Sequence, residues 1–241
     1  MNTEEFFLKL SEAADRDADR FHSLQENLVL GCDKSGQIIA AHRGGERIRH
    51  TAVTGVKRTE FIRRALLTAM ASYDTDQAAF YVLSPKKEYG ELLRFRGVDI
   101  TVPFLRSVDD LWKSLDCLRS QVEFFNLRNM RTGWRLFLVV DGLEMLGDGL
   151  SLDVYTPFLE LATEPWLELI TGVEFMNSVF ESSPSAFVGR KNCLVATVSE
   201  GKADVTYVGE DMSMSLPEEI TYPAEPSVTA SIHLLSAAKK L

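Results

Sequence analysis

The most constraining feature of this 241-residue sequence is an unbroken apolar run, Leu-Phe-Leu-Val-Val at 136–140, that ends in Asp141. Such a run predicts a strand in the middle of a parallel sheet, with both of its faces covered by other elements. The Asp141 carboxylate then lies at the carboxyl end of that strand. The chain is therefore expected to build an α/β domain around residues 136–140.

The rest of the chain alternates between strand and helix patterns. Strands are predicted at 28–33, 37–42, 52–53, 78–83, 98–104, 193–198 and 203–208, with a hairpin turn at 34–36. Helices are predicted at 3–22, 59–72 and 88–95, from Ser107 onward, over most of 151–183, and from about Ser227. This alternation predicts an α/β fold whose mostly parallel sheet is flanked by helices.

No composition shift or linker divides the chain, which predicts a single domain over 1–241 that begins with a short helix and a hairpin. Within its sheet, the strand at 136–140 is expected to be central. The strands at 78–83 and 52–53 are expected to be its parallel neighbours.

Composition and cysteine usage point to a cytoplasmic protein. Hydrophobic residues make up 45% and charged residues 25% of the chain, as in ordinary globular proteins. No apolar run reaches the roughly 18–20 residues that span a bilayer, and the acidic stretch at 1–7 does not resemble a signal peptide. The three cysteines are scattered, which predicts reduced thiols and neither a disulfide framework nor a zinc site.

The charge is distributed unevenly. Residues 1–140 contain 21 Lys and Arg against 19 Asp and Glu, whereas residues 141–226 contain 3 against 16. The acidic second part disfavours extensive contact with nucleic acid, because phosphate binding depends on cations. The first part has a basic cluster that is either a phosphate or DNA surface, or a patch facing solvent or an interface. Its members are Arg43, Arg47, Arg49, Lys57, Arg58, Arg63 and Arg64.

Residues 52–59, Ala-Val-Thr-Gly-Val-Lys-Arg-Thr, lie between a predicted strand and a predicted helix, where a phosphate-binding loop GxxxxGK[ST] would lie. Ala52 and Lys57 stand at the two glycine positions, and Arg58 stands at the lysine position. Only Thr59 and an internal glycine, Gly55, fit such a loop. Val56 and Lys57 add Cβ atoms where the backbone must curl around phosphate, which hinders that conformation.

The strand ending in Asp141 has the form of a Walker B strand, whose carboxylate lies beside Mg²⁺. Many such ATPases carry a water-activating glutamate at the next position, but here that residue is Gly142. Glu144 is a poor geometric substitute for it. No catalytic residue is therefore assigned.

The order of these features resembles the motor domain of the FtsK/SpoIIIE family, which includes the ATPase modules of type VII secretion systems. The resemblance covers residues 25–145. It is based on the hairpin at 28–39, the segment 50–59, the strand ending in Ser84-Pro85-Lys86, the long helix from Ser107 and the strand into Asp141.

The resemblance implies a P-loop NTPase-like fold and a nucleotide site. Gly55, Lys57, Arg58 and Thr59 are the candidates for holding ATP, and Thr59 and Asp141 are the candidates for holding Mg²⁺. Two simpler interpretations stay open. Arg58 and Thr59 are otherwise an ordinary exposed helix start, and Asp141 otherwise caps a turn or pairs with a nearby arginine.

The departures from the family pattern predict a degenerate, non-hydrolysing module that acts in assembly or protein interaction, in a secretion or DNA-transfer system. ATP and Mg²⁺ are then expected to bind weakly or not at all. Protein partners or a homo-oligomer are expected, DNA is not favoured, and no membrane insertion is expected. The alternatives are an ATP-binding translocase subunit with weak ATPase activity and a stand-alone regulatory protein.

Overall fold

A computed structural model describes residues 28–43, 46–73, 77–95, 99–127, 134–147, 152–173, 193–209 and 215–222. The helices predicted at 3–22 and from Ser227 lie outside these residues. Across the ranges that are described, no helix is long and apolar enough to cross a membrane.

Within the described ranges, ten strands form one sheet and two short strands pair separately. The strands are β1 (Val29–Cys32), β2 (Ile38–Ala40), β3 (His42–Arg43), β4 (Glu46–Arg47), β5 (His50–Thr54), β6 (Ala78–Leu83), β7 (Asp99–Thr101), β8 (Arg135–Asp141), β9 (Leu167–Val173), β10 (Cys193–Ser199), β11 (Lys202–Val208) and β12 (Glu218–Thr221). The order across the large sheet is β2-β1-β12-β11-β10-β5-β9-β8-β6-β7. The six strands from β10 to β7 in this order run parallel, and the remaining neighbours pair antiparallel.

Helices cover both faces of the sheet, as predicted. Helix α1 (Arg58–Ser72) packs on one face against alternate strand residues such as Val53 and Val139. Helices α2 (Val108–Leu127) and α3 (Thr156–Leu161) pack on the other face, against strand residues such as Leu138. Since successive strand residues point to opposite faces, each layer has its own apolar core. The predicted α/β fold is confirmed.

Several predicted elements differ from the structure only in their bounds or type. The turn after β1 is confirmed, and there the Asp33 carboxylate accepts the N–H groups of Ser35 and Gln37, both at 2.8 Å. The helix predicted at 88–95 is a 3₁₀ helix, Lys87–Arg94. The long helix begins as predicted, because Ser107 Oγ accepts the N–H of Asp110 at 3.2 Å.

The prediction of a mostly helical segment over 151–183 is wrong for residues 167–173, which form β9. All seven residues of β9 are buried, and β9 pairs in parallel with β5 on one side and β8 on the other. The parallel pairing of β8 with β6 is confirmed, but the predicted pairing of β8 with residues 52–53 is wrong because β9 lies between them. Residues 167–173 mix apolar residues with Glu168 and Thr171, and so short a segment does not distinguish a buried strand from a buried helix by periodicity, which explains the error.

Candidate functional site

The predicted site residues meet at the carboxyl ends of the parallel strands. Strand β5 ends at Thr54 and α1 begins at Arg58, so the connection between them has only three residues, 55–57. Asp141 ends β8, two strands away from β5. This places the start of α1 beside the Asp141 carboxylate, as the sequence predicts.

Asp141 is completely buried, and among the described residues four side chains donate hydrogen bonds to it. Arg58 Nε donates to Asp141 Oδ1 at 2.9 Å, and Thr59 Oγ1 and the Tyr89 hydroxyl each donate to Oδ2 at 2.9 Å. Lys86 Nζ lies 3.2 Å from Oδ1 and 3.1 Å from Oδ2. A carboxylate offers about four lone-pair sites, so the protein itself supplies donors for the whole group.

Arg58 points inward, away from solvent, and is only 6% exposed. Besides Asp141, its guanidinium contacts the carboxylate of Glu144, in the short 3₁₀ helix Leu143–Leu146. Burial alone would lower the pKa of Arg58, but the charges of Asp141 and Glu144 raise it above its ordinary value. Arg58 is therefore a permanent cation whose charge is met by carboxylates of the same chain.

Tyr89 is neutral in this arrangement. Burial raises the pKa of its hydroxyl well above the ordinary value, and the neighbouring Asp141 carboxylate raises it further. The hydroxyl therefore keeps its proton and acts as a donor to Asp141.

Gly55 is needed for packing in this loop. Its φ is +105°, and a Cβ atom there would lie 2.1 Å from the carbonyl oxygen of Val198 at the end of β10. The Gly55 carbonyl accepts the N–H of Arg58 at 3.2 Å, which closes the connection into a turn. The Gly55 carbonyl is thus engaged with its own chain.

The other loop residues face an open cleft. Val56 is 94% exposed, and Lys57 Nζ lies 3.5 Å from Glu60 Oε2. The cleft has a volume of about 680 Å³, and Lys57, Thr59, Lys86 and Met145 are among its lining residues. Of the predicted nucleotide ligands, Lys57 and Thr59 line this cleft, whereas Arg58 turns away from it into the protein.

Thr59 and Asp141, the predicted metal ligands, are in contact, but the ammonium group of Lys86 is bound to both of them. Lys86 Nζ is 2.5 Å from Thr59 Oγ1 and also contacts both Asp141 oxygens. A metal ion on these two side chains would have to displace the Lys86 ammonium group. In this arrangement the residues do not fit Mg²⁺.

The basic cluster predicted as one surface is divided by the fold. Arg63 Nη2 lies 2.8 Å from Glu91 Oε2, and Arg64 Nη2 lies 2.6 Å from Glu60 Oε1. Both arginines are at least 94% buried, as is Arg58. These three arginines complete ion pairs around α1, and Arg63 also lines the cleft.

Sequence reasoning missed Lys86 and Tyr89 as members of the site. One signal for Lys86 was present: the residue follows β6 by three positions, and β6 is parallel to β8. Residues just beyond the carboxyl ends of neighbouring parallel strands meet at one edge of the sheet. No comparable signal marks Tyr89, which reaches Asp141 from a 3₁₀ helix.

The strand order, the loop before α1 and the carboxylate ending β8 together define a P-loop ATPase-like fold, and solved structures agree. The chain is similar to the cytoplasmic domain of the type VII secretion ATPase EccC from Thermomonospora curvata, with 16% identity and a TM-score of 0.59 over 84% of this chain. It is similar to EssC (ATPases 2 and 3) from Geobacillus thermodenitrificans, with 11% identity and a TM-score of 0.57 over 89% of this chain.

A third structure, titled only "ATPase", matches with 15% identity and a TM-score of 0.61 over 90% of this chain and 93% of its own length. This chain spans 26% of the EccC chain and 49% of the EssC chain. No family model matches the sequence, and the search of curated proteins gives no significant match. At these identities the likeness is one of fold, and it confirms the predicted resemblance to ATPases of type VII secretion.

Proposed function

We propose that this chain is a non-hydrolysing module with a P-loop ATPase-like fold, which acts in assembly or protein interaction within a secretion or DNA-transfer system. The observation that carries this proposal is the direction of Arg58. The residue at the phosphate-binding lysine position is buried against Asp141 and Glu144. A cation engaged in this way is not available to hold the outer phosphates of a nucleotide.

Two further features support the loss of catalysis. The connection of three residues is shorter than the GxxxxG stretch of a phosphate-binding loop, and a turn bond from the Arg58 N–H to the Gly55 carbonyl closes it. At the position after Asp141, Gly142 has no carboxylate and adopts a φ of +76°. Hydrolysis needs phosphate positioning, a metal ion and a group that orients water, and each of these is compromised in this chain.

The proposed partners are proteins, either other components of such a system or further copies of this chain, in the cytoplasm. The structural likeness to EccC and EssC supports the secretion setting. DNA is the less favoured partner, because three arginines of the basic cluster are buried in ion pairs. Genes for small WxG-type secreted proteins beside this one would support secretion, whereas plasmid-transfer genes would support conjugation.

The alternative is an ATP-binding translocase subunit with weak ATPase activity. The open cleft of about 680 Å³ at the start of α1 favours this alternative. In that case the Arg58 side chain would move away from Asp141 and bind phosphate. Thr59 and Asp141 would hold Mg²⁺, and a neighbouring subunit would supply the missing groups.

Calorimetric titration with ATP and Mg²⁺ separates the two candidates. We expect a dissociation constant of about a millimolar or weaker, which corresponds to no more than about 4 kcal/mol of binding. Arg58→Ala is expected to leave this weak binding unchanged, as is the control Arg94→Ala, which removes an exposed arginine. Low-micromolar binding that is lost in Arg58→Ala but kept in Arg94→Ala would establish the alternative.

A further inference from the structure

The position of Lys86 suggests a role that the degenerate loop does not explain. Its ammonium group lies 2.5 Å from Thr59 Oγ1, 3.2 Å from Asp141 Oδ1 and 3.1 Å from Asp141 Oδ2. An ammonium group has three N–H donors, and here three oxygens surround it. The Lys86 side chain is only 13% exposed, so the group is largely withdrawn from water.

The oxygens around Lys86 are of the kind that bind hard divalent cations. A hydroxyl and a carboxylate are ligands typical of such ions. Lysine carries its charge on one compact centre, unlike the planar fork of arginine. Its Nζ atom is therefore the protein group that most closely replaces a small cation among these oxygens.

The charges of the site already balance without a metal ion. Asp141 and Glu144 contribute two negative charges, and Arg58 and Lys86 contribute two positive charges. Three ion pairs connect them: Arg58 with Asp141, Arg58 with Glu144, and Lys86 with Asp141. A divalent cation added to this set would leave an excess of buried positive charge, which is costly in a region of low dielectric constant.

Gly142 makes room for the lysine. A Cβ atom at this position would lie 2.8 Å from Cε of Lys86. The lysine leaves β6 through a turn in which Ser84 Oγ accepts the Lys86 N–H at 3.2 Å, and its stem then passes Gly142. The absence of a side chain at Gly142 therefore leaves the space through which the Lys86 stem reaches Asp141.

We propose that Lys86 is a built-in cation that occupies the position of a divalent metal ion between Thr59 and Asp141. It holds the edge of the sheet together without metal or nucleotide. This proposal rests on the proposed function, since it explains how the site stays assembled once nucleotide binding is lost. It predicts that removing the ammonium group uncovers a metal site.

The test is a titration of purified protein with Mn²⁺ in the absence of nucleotide, in which electron paramagnetic resonance measures the bound and free Mn²⁺. We expect Lys86→Met to bind one Mn²⁺ at least about tenfold more tightly than the native protein, since hydroxyl and carboxylate oxygens are then released. Lys87→Met, the control, removes an exposed neighbouring lysine and is expected to behave like the native protein. Thr59→Ala added to Lys86→Met is expected to abolish the gain.

Equal Mn²⁺ affinity of Lys86→Met and Lys87→Met would overturn the proposal, as would tight binding by the native protein. A second measurement needs no variant: reductive methylation of the native protein, read by mass spectrometry, should modify Lys86 at least about tenfold more slowly than Lys87, because Lys86 is buried and paired. Similar rates at the two lysines would also contradict it. Neither measurement involves ATP. ATP turnover by the native protein would therefore overturn the proposed function without changing the measured Mn²⁺ affinities or methylation rates.

Discussion

Asp141→Ala is expected to lower the free energy of unfolding by about 3–5 kcal/mol, because it leaves buried cations without their partner. Arg58 would keep only Glu144, and Lys86 would keep only the hydroxyl of Thr59. Tyr89 would also lose the acceptor of its buried hydroxyl. The loss is large because one carboxylate serves all of these donors.

Urea unfolding followed by circular dichroism measures this loss. The control is Asp116→Ala, which removes a carboxylate that is 78% exposed and is expected to change stability by less than about 0.5 kcal/mol. If the only role of Asp141 were to hold a metal ion, Asp141→Ala would lower the free energy of unfolding only slightly in metal-free buffer. Equal stabilities of the two variants would therefore contradict the structural role assigned to Asp141.

Gly55→Ala is expected to be similarly damaging, with a loss of about 3–5 kcal/mol from backbone strain and overpacking together. The φ of +105° disfavours any side chain, and the new Cβ would meet the Val198 carbonyl at 2.1 Å. The clash is with backbone, so no rotamer change relieves it. This prediction assigns the glycine to packing against β10, where the sequence suggested contact with phosphate.

Gly201→Ala is the matched control for this variant. Gly201 also has a positive φ, of +70°, but a Cβ atom there has no neighbour within 4 Å. Its loss should be only about 1–2 kcal/mol, the cost of the backbone conformation alone. If thermal or urea unfolding gives the same loss for both variants, the packing role of Gly55 is wrong.

The sequence was most informative where hydrophobic pattern alone decides the structure. Residues 136–140 form a fully buried inner strand whose two faces are both covered. Their unbroken run is only five residues long, and this length favours a strand over a helix. Residues 167–173 are buried in the same way, but Glu168 and Thr171 interrupt their apolar residues, and the segment was predicted to be part of a mostly helical region. Whether such a segment becomes a strand or a helix depends on the strands available to pair with it, and the pattern of one segment alone does not identify those strands.

For the site, spacing predicted which backbone positions meet but not where the side chains point. Arg58, Thr59 and Asp141 come together as predicted. Arg58 turns inward onto Glu144 as well as Asp141, and Lys86 passes close to the position that a Cβ atom at residue 142 would occupy. These are contacts between separate elements, so they became visible only in the folded chain.

The most direct test of the central claim is phosphate release by the purified native protein in the presence of ATP and Mg²⁺, alone and with double-stranded DNA. Background-level release under both conditions is predicted, because Arg58 and Lys86 are engaged with Asp141 and no carboxylate follows it. Steady turnover near about 1 per second, lost in a folded Thr59→Ala variant, would show that the chain is an ATPase and would contradict the account.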